Sequence, residues 1–141
     1  MSWPLWEDQR DLQNERRVAD KLARQFHCLF FKLPVAYYVD FAFIRDDNIC
    51  GLVEVRCRNN SFDQYPTIIV STQKRMHCLE LADHLDVKCI FAIQYLDQLC
   101  WIDLAEKPDY VRVGGRNDVR DARDIELLSH YKTERLKHET Q

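Results

Sequence analysis

Two acids carry the first chemical signal in this chain. Residues 39–45 read Val-Asp-Phe-Ala-Phe-Ile-Arg and residues 49–56 read Ile-Cys-Gly-Leu-Val-Glu-Val-Arg. Both runs suit strands. Asp46-Asp47-Asn48 between them is a short polar turn, with Asn48 fitted to the left-handed position of a three-residue hairpin loop. A hairpin centred on Asp47 pairs residues whose numbers sum to 94, which sets Asp40 opposite Glu54. Directly opposed side chains have Cβ atoms about 5 Å apart, and like charges there destabilise a sheet. A chain keeps such a pair when a cation sits between the carboxylates, and a divalent metal with oxygen ligands is the natural candidate.

Other side chains add to the pair, and each also has an ordinary reading. Glu54 stands in an apolar strand, where a carboxylate needs a partner; without a metal, Arg56 or Arg58 would serve. Asp40 alone could face solvent from an edge strand. Glu15 falls on the helical stripe Leu12, Ala19, Leu22, Phe26, yet a glutamate in a first turn also simply favours the helix dipole. Lys74 begins the inward stripe of a second helix, one turn before Cys78, or else stands on its surface. Arg56, Arg58, Lys74 and Arg75 form a local basic patch, suited to a phosphate backbone or to plain solvation.

The elements that position these residues follow from periodicity. A helix is expected over 8–25 and a strand over 28–32, closed by Pro34. The hairpin strands span 37–45 and 49–57, and Asn59-Asn60-Ser61 breaks the chain. Residues 65–70 are β-rich, and Ser71 is an N-cap for a helix reaching about residue 84. Residues 87–95 and 99–104 form two more strands around Leu96-Asp97-Gln98. After Gly114-Gly115 charges alternate densely, and residues 125–131 read as a short strand followed by a helical tail. This order predicts one α/β or α+β domain over 1–141, with a central mixed sheet flanked by helices. Its core covers about 8–105, and 106–141 form a charged C-terminal extension.

Composition narrows the function classes. The chain has 141 residues, 46% of them hydrophobic, enough for a real core. No apolar run is long enough to span a bilayer, and the acidic start is no signal peptide. Six cysteines without Cys-x-x-Cys spacing read as small reduced side chains, which points to a reducing cell interior. A net charge of −3 argues against a generic nucleic-acid binder, but not against an enzyme that meets phosphates through a metal and a local basic patch. Neither the five histidines nor the one double glycine sits in a recognisable nucleophile or phosphate-loop context. Trp3 and Trp6, ahead of the first helix, offer an aromatic segment for a homodimer or a larger assembly.

Helix with Glu15, strand with Asp40, strand with Glu54-Val55-Arg56, helix with Lys74: this order resembles the PD-(D/E)XK nuclease superfamily, the restriction-endonuclease-like fold, over about residues 8–105. The resemblance implies a metal-dependent DNA endonuclease or exonuclease; the small single domain shows no recognisable sequence-reading module, so base specificity is expected to be low. Asp40, Glu54 and the Val55 carbonyl would hold Mg²⁺ or Mn²⁺, with Glu15 completing the shell. Catalytic roles would fall to Glu15, Asp40, Glu54, Arg56 and Lys74, and DNA contacts to Arg56, Arg58, Lys74 and Arg75. One position departs from the family pattern: Arg56 stands where the motif has lysine. Arginine keeps its proton and cannot act as a general base. Lys74 is the residue placed to take over the lysine role. The same departure supports a second expectation, a catalytically inactive nuclease-like domain serving in a larger assembly such as a phage particle.

Overall fold

The computed structural model describes residues 9–115 and 125–139. Its elements are α1 (Gln9–Gln25), β1 (Leu29–Lys32), β2 (Phe41–Arg45), β3 (Asn48–Cys57), β4 (Thr67–Ser71), α2 (Thr72–Leu85), β5 (Cys89–Gln94), β6 (Leu99–Asp103), β7 (Tyr110–Gly115), β8 (Ile125–Lys132) and β9 (Lys137–His138). Short 3₁₀ turns cover Val35–Tyr37 and Thr133–Arg135. The architecture is a central mixed sheet with a helix on each face. Six strands run in the order β1-β2-β3-β5-β6-β9, and the β3–β5 pair alone is parallel among those described.

Strand alternation divides the core into two layers. Val53 and Val55 of β3 turn toward α1, where Val18, Ala19, Leu22 and Ala23 meet Phe41, Phe43, Ala92 and Trp101. Leu52 turns the other way, toward Cys78 and Ala82 of α2 and toward Val70 and Tyr131. Each fully buried side chain of this size contributes about 1.5–3 kcal/mol of transfer free energy. The even-numbered residues of β3 therefore face α2, and Glu54 is among them.

The hairpin reaches its register by a different route from the one expected. The turn has two residues, Asp46 and Asp47, both at positive φ (53° and 65°), the geometry of a type I′ turn. Asn48 instead opens β3, and its side-chain amide donates to the Asp46 carbonyl at 3.0 Å. Beyond the turn Ile44 pairs with Ile49, but Phe43 pairs with Gly51, so Cys50 is an extra residue in a bulge. The bulge adds back the residue that the tighter turn removed. Phe41 then lies opposite Val53, and the same register sets Asp40, one residue before β2, beside Glu54.

Two expectations about the C-terminal third change. The helical tail is a single 3₁₀ turn followed by β9 at the edge of the large sheet. A second sheet of order β4-β8-β7 packs beyond α2. Tyr131 and Leu136 are buried within the main core, so that core extends well past residue 105. The segment 116–124, with its alternating charges, lies outside the described residues, as do Trp3 and Trp6.

Candidate functional site

Asp40 and Glu54 are the buried carboxylates among the described residues, at 8% and 1% exposure. Asp40 is held by backbone: the Val55 N–H donates to its Oδ2 at 2.8 Å. Its Oδ1 lies 3.9 Å from Lys32 Nζ, and the same ammonium donates to the Asp40 carbonyl at 3.3 Å. Glu54 is approached by two cations at one oxygen. Lys74 Nζ stands 3.3 Å from Oε2, and Arg56 NH1 stands 3.6 Å from it. The other oxygen, Oε1, is buried and makes no hydrogen bond. A buried oxygen left without a donor costs about 1–3 kcal/mol. Burial, and then the Asp40 charge, push the Glu54 carboxyl up to about 8, over the opposing pull of Lys74 and Arg56.

Helix α2 sets this geometry. Ser71 caps it, accepting from the Lys74 N–H at 3.4 Å, which fixes Lys74 in the first turn. Lys74, Cys78 and Ala82 repeat every four residues on the buried face, so Lys74 projects over Glu54. The Lys74 ammonium also donates to the Tyr38 carbonyl. Tyr38 adopts a left-handed conformation at the end of the 3₁₀ turn and stacks on His77 at 4.6 Å. The loop delivering Asp40 is thus clamped to the first two turns of α2.

Two donor carboxylates with one orphaned oxygen suit a hard divalent cation, because such ions are held by one or two carboxylates with waters and phosphate oxygens completing the shell. The described residues contain no group of three or more acids, histidines or cysteines able to hold a metal, so Glu15 is not gathered into the pair. It sits on α1, the helix that packs on the Val53 and Val55 face of the large sheet. Its charge is felt at Cys57, near the end of β3.

A family model described as "Phage putative PDDEXK endonuclease" matches residues 1–138. The chain belongs to this PDDEXK family. Among solved structures, the PDDEXK chain is similar to Archaeoglobus fulgidus Hjc, a Holliday junction resolvase. The likeness has a TM-score of 0.50 at 8% identity and covers 80% of each chain. It shows the restriction-endonuclease-like fold and nothing of activity. A comparison with curated proteins gives no match.

Within this PDDEXK chain the basic residues separate. Arg56 shares the Glu54 face and is half exposed. Arg58 continues the same strand path and lines the clefts beyond it. Arg75 turns elsewhere: its Nε donates to the Leu104 carbonyl at 3.0 Å and to the Tyr131 hydroxyl at 2.9 Å, joining α2 to the second sheet. Lys32, like Tyr38 and His77, is a residue that sequence reasoning misses. It pairs with Phe41 across β1–β2, and the Pro34-containing connection between those strands conceals that register. Of the six free cysteines, Cys78, Cys89 and Cys100 are buried, whereas Cys50 and Cys57 are exposed.

Proposed function

We propose that this PDDEXK chain is a divalent-metal-dependent nuclease that hydrolyses phosphodiester bonds in DNA with little base specificity. The observation that supports this most is the orphaned Glu54 Oε1 beside Asp40, a pair strained in its own fold and relieved by a cation. Asp40, Glu54 and the Val55 carbonyl would hold Mg²⁺ or Mn²⁺. The bound ion supplies a more acidic water and positive charge for the phosphate.

The chain's own residues divide the remaining work. Lys32 and the Val55 N–H hold Asp40 in place. Lys74, clamped to the Tyr38 carbonyl and to Glu54, presents its ammonium where negative charge develops on the scissile phosphate. Arg56, with its guanidinium half exposed, neutralises the approaching backbone rather than moving a proton. Arg58 extends the cationic track, while Arg75 is committed to packing. No sequence-reading module accompanies the site among the described residues, so base specificity is low. The free cysteines suit a reducing cell interior.

The Glu54–Lys74 and Glu54–Arg56 contacts favour a second reading, a nuclease-like domain whose acids are ion-pair partners within a larger assembly. One experiment separates the two. Plasmid and single-stranded DNA are incubated with the protein in Mg²⁺, Mn²⁺ and EDTA, beside Glu54→Ala. Cleavage that needs metal and Glu54 supports the enzyme; no cleavage in any metal supports the assembly role.

A further inference from the structure

A second feature lies along the same strand path and shares only Arg58 with the chemistry above. A cavity of about 380 Å³ opens where β3 runs out, between the large sheet and β4. Its lining includes Arg58, Asn60, Tyr65, Thr67, Ile69 and Tyr95. Its volume falls within the range of about 300–1,000 Å³ typical of small-ligand sites. The lining holds one cation and no carboxylate. Tyr65 is 56% exposed at the mouth, an aromatic surface that the core does not use. Tyr95 is the reverse. It is 3% exposed, packed edge-on against Phe62 at 5.7 Å, and its hydroxyl is buried without a hydrogen-bond partner.

A buried hydroxyl without a partner is costly unless something fills the role. Burial, and then Cys100, push the Tyr95 phenol up to about 12 against the opposing pull of the Arg58 charge, so it remains a protonated donor at neutral pH. A donor just beneath the lining, an aromatic face at the rim and a cation beside them suit a flat heteroaromatic ring with an acceptor edge, attached to a phosphate, which reaches the hydroxyl by a small shift of the lining.

We propose that this cavity takes one unpaired nucleobase of the DNA strand, stacked against Tyr65, with its acceptor edge at the Tyr95 hydroxyl and its phosphate at Arg58. The nature of the occupant rests on the nuclease reading; the cavity itself does not. Arg58 is four residues from Glu54, about 13 Å along an extended strand. That distance equals roughly four stacked nucleotides at about 3.4 Å each, fewer in a stretched strand. A base paired in continuous duplex cannot enter. The substrate class is therefore DNA with unpaired bases a few nucleotides from the cut: single strands, flaps, ends or junction arms.

The test is fluorescence anisotropy in EDTA, so that no cleavage intervenes. The probes are a twelve-nucleotide single strand, the same strand carrying one abasic position at each site in turn, and the blunt duplex. The single strand should bind more tightly than the duplex, and one abasic position should weaken it about fivefold or more, the loss expected for one base–aromatic stack. Tyr65→Ala should weaken single-strand binding to a similar degree, and Tyr95→Phe about fivefold, both leaving duplex binding unchanged. Equal losses on single strand and duplex, or an abasic scan without a sensitive position, would overturn the pocket. The abasic scan uses the wild-type protein, so it decides the matter even if Tyr95→Phe misfolds. Base-dependent binding without cleavage in any metal would sink the nuclease reading and leave the pocket standing. Metal-dependent cleavage with indifferent Tyr65 and Tyr95 variants would do the opposite.

Discussion

At the scale of single residues, Glu54 decides most of the chemistry. Its carboxyl titrates near 8 in the folded chain against an ordinary 4.5, because burial and Asp40 oppose its charge. A carboxyl raised on folding contributes stability that is full below about pH 4.5 and is lost as pH rises through about 8. Metal-free wild type should therefore lose melting temperature relative to Glu54→Gln between about pH 5 and pH 9, as followed by circular dichroism. A Glu54→Gln variant that is less stable than wild type throughout that range would mean that the ion pairs dominate. The lysine role gives a second expectation. Lys74→Ala should lower the cleavage rate by two to three orders of magnitude, the typical effect of removing one charge-stabilising donor, and weaken DNA binding far less. Arg56→Lys should keep or raise the rate, since it restores a lysine two residues after Glu54 on one strand face. Normal cleavage by Lys74→Ala with loss in Arg56→Ala would assign the role to the arginine.

At the scale of elements, local patterns are legible and non-local pairings are not. The Ser71 cap, the Lys74–Cys78 stripe and both helices follow from spacing alone. The opposition of Asp40 and Glu54 is legible too, although two compensating features produce it: a two-residue turn and the bulge at Cys50. Lys32, Tyr38 and His77 escape a sequence reading because they reach the site through an eight-residue connection of irregular backbone and through stacking on α2. Strand β7 is hidden for a similar reason. Among the described strands it pairs with β8 alone, across a stretch of sequence whose charges suggest solvent. The turn is open to a direct check. A type I′ turn favours glycine at its second position, and Asp47 at φ 65° is a strained choice. Asp47→Gly should stabilise the protein by up to about 1 kcal/mol in urea unfolding. A three-residue loop with its left-handed position at Asn48 would show no such gain.

At the scale of the whole molecule, the second sheet is part of what holds the site rigid. The Ser129 hydroxyl meets that of Thr72 at 2.7 Å, and Tyr131 donates to the Glu106 carbonyl at 2.8 Å while accepting from Arg75. The first turn of α2, which carries Lys74, is thereby anchored from behind. A chain ended at residue 105 should lose cooperative unfolding, and Tyr131→Ala in the full chain should cost about 3–5 kcal/mol, the range for deleting a buried aromatic ring. A truncated chain with an unchanged melting transition would show the second sheet to be an accessory. If Asp40 and Glu54 together form a divalent-metal site, calorimetric titration of Mn²⁺ into the DNA-free protein at several pH values will detect it. One site is expected, absent from Glu54→Gln, that releases close to one proton at pH 7 and tightens as pH rises through about 8, because the ion must displace the proton held by Glu54. Equal Mn²⁺ binding by Glu54→Gln, or binding without proton release, would contradict that metal site.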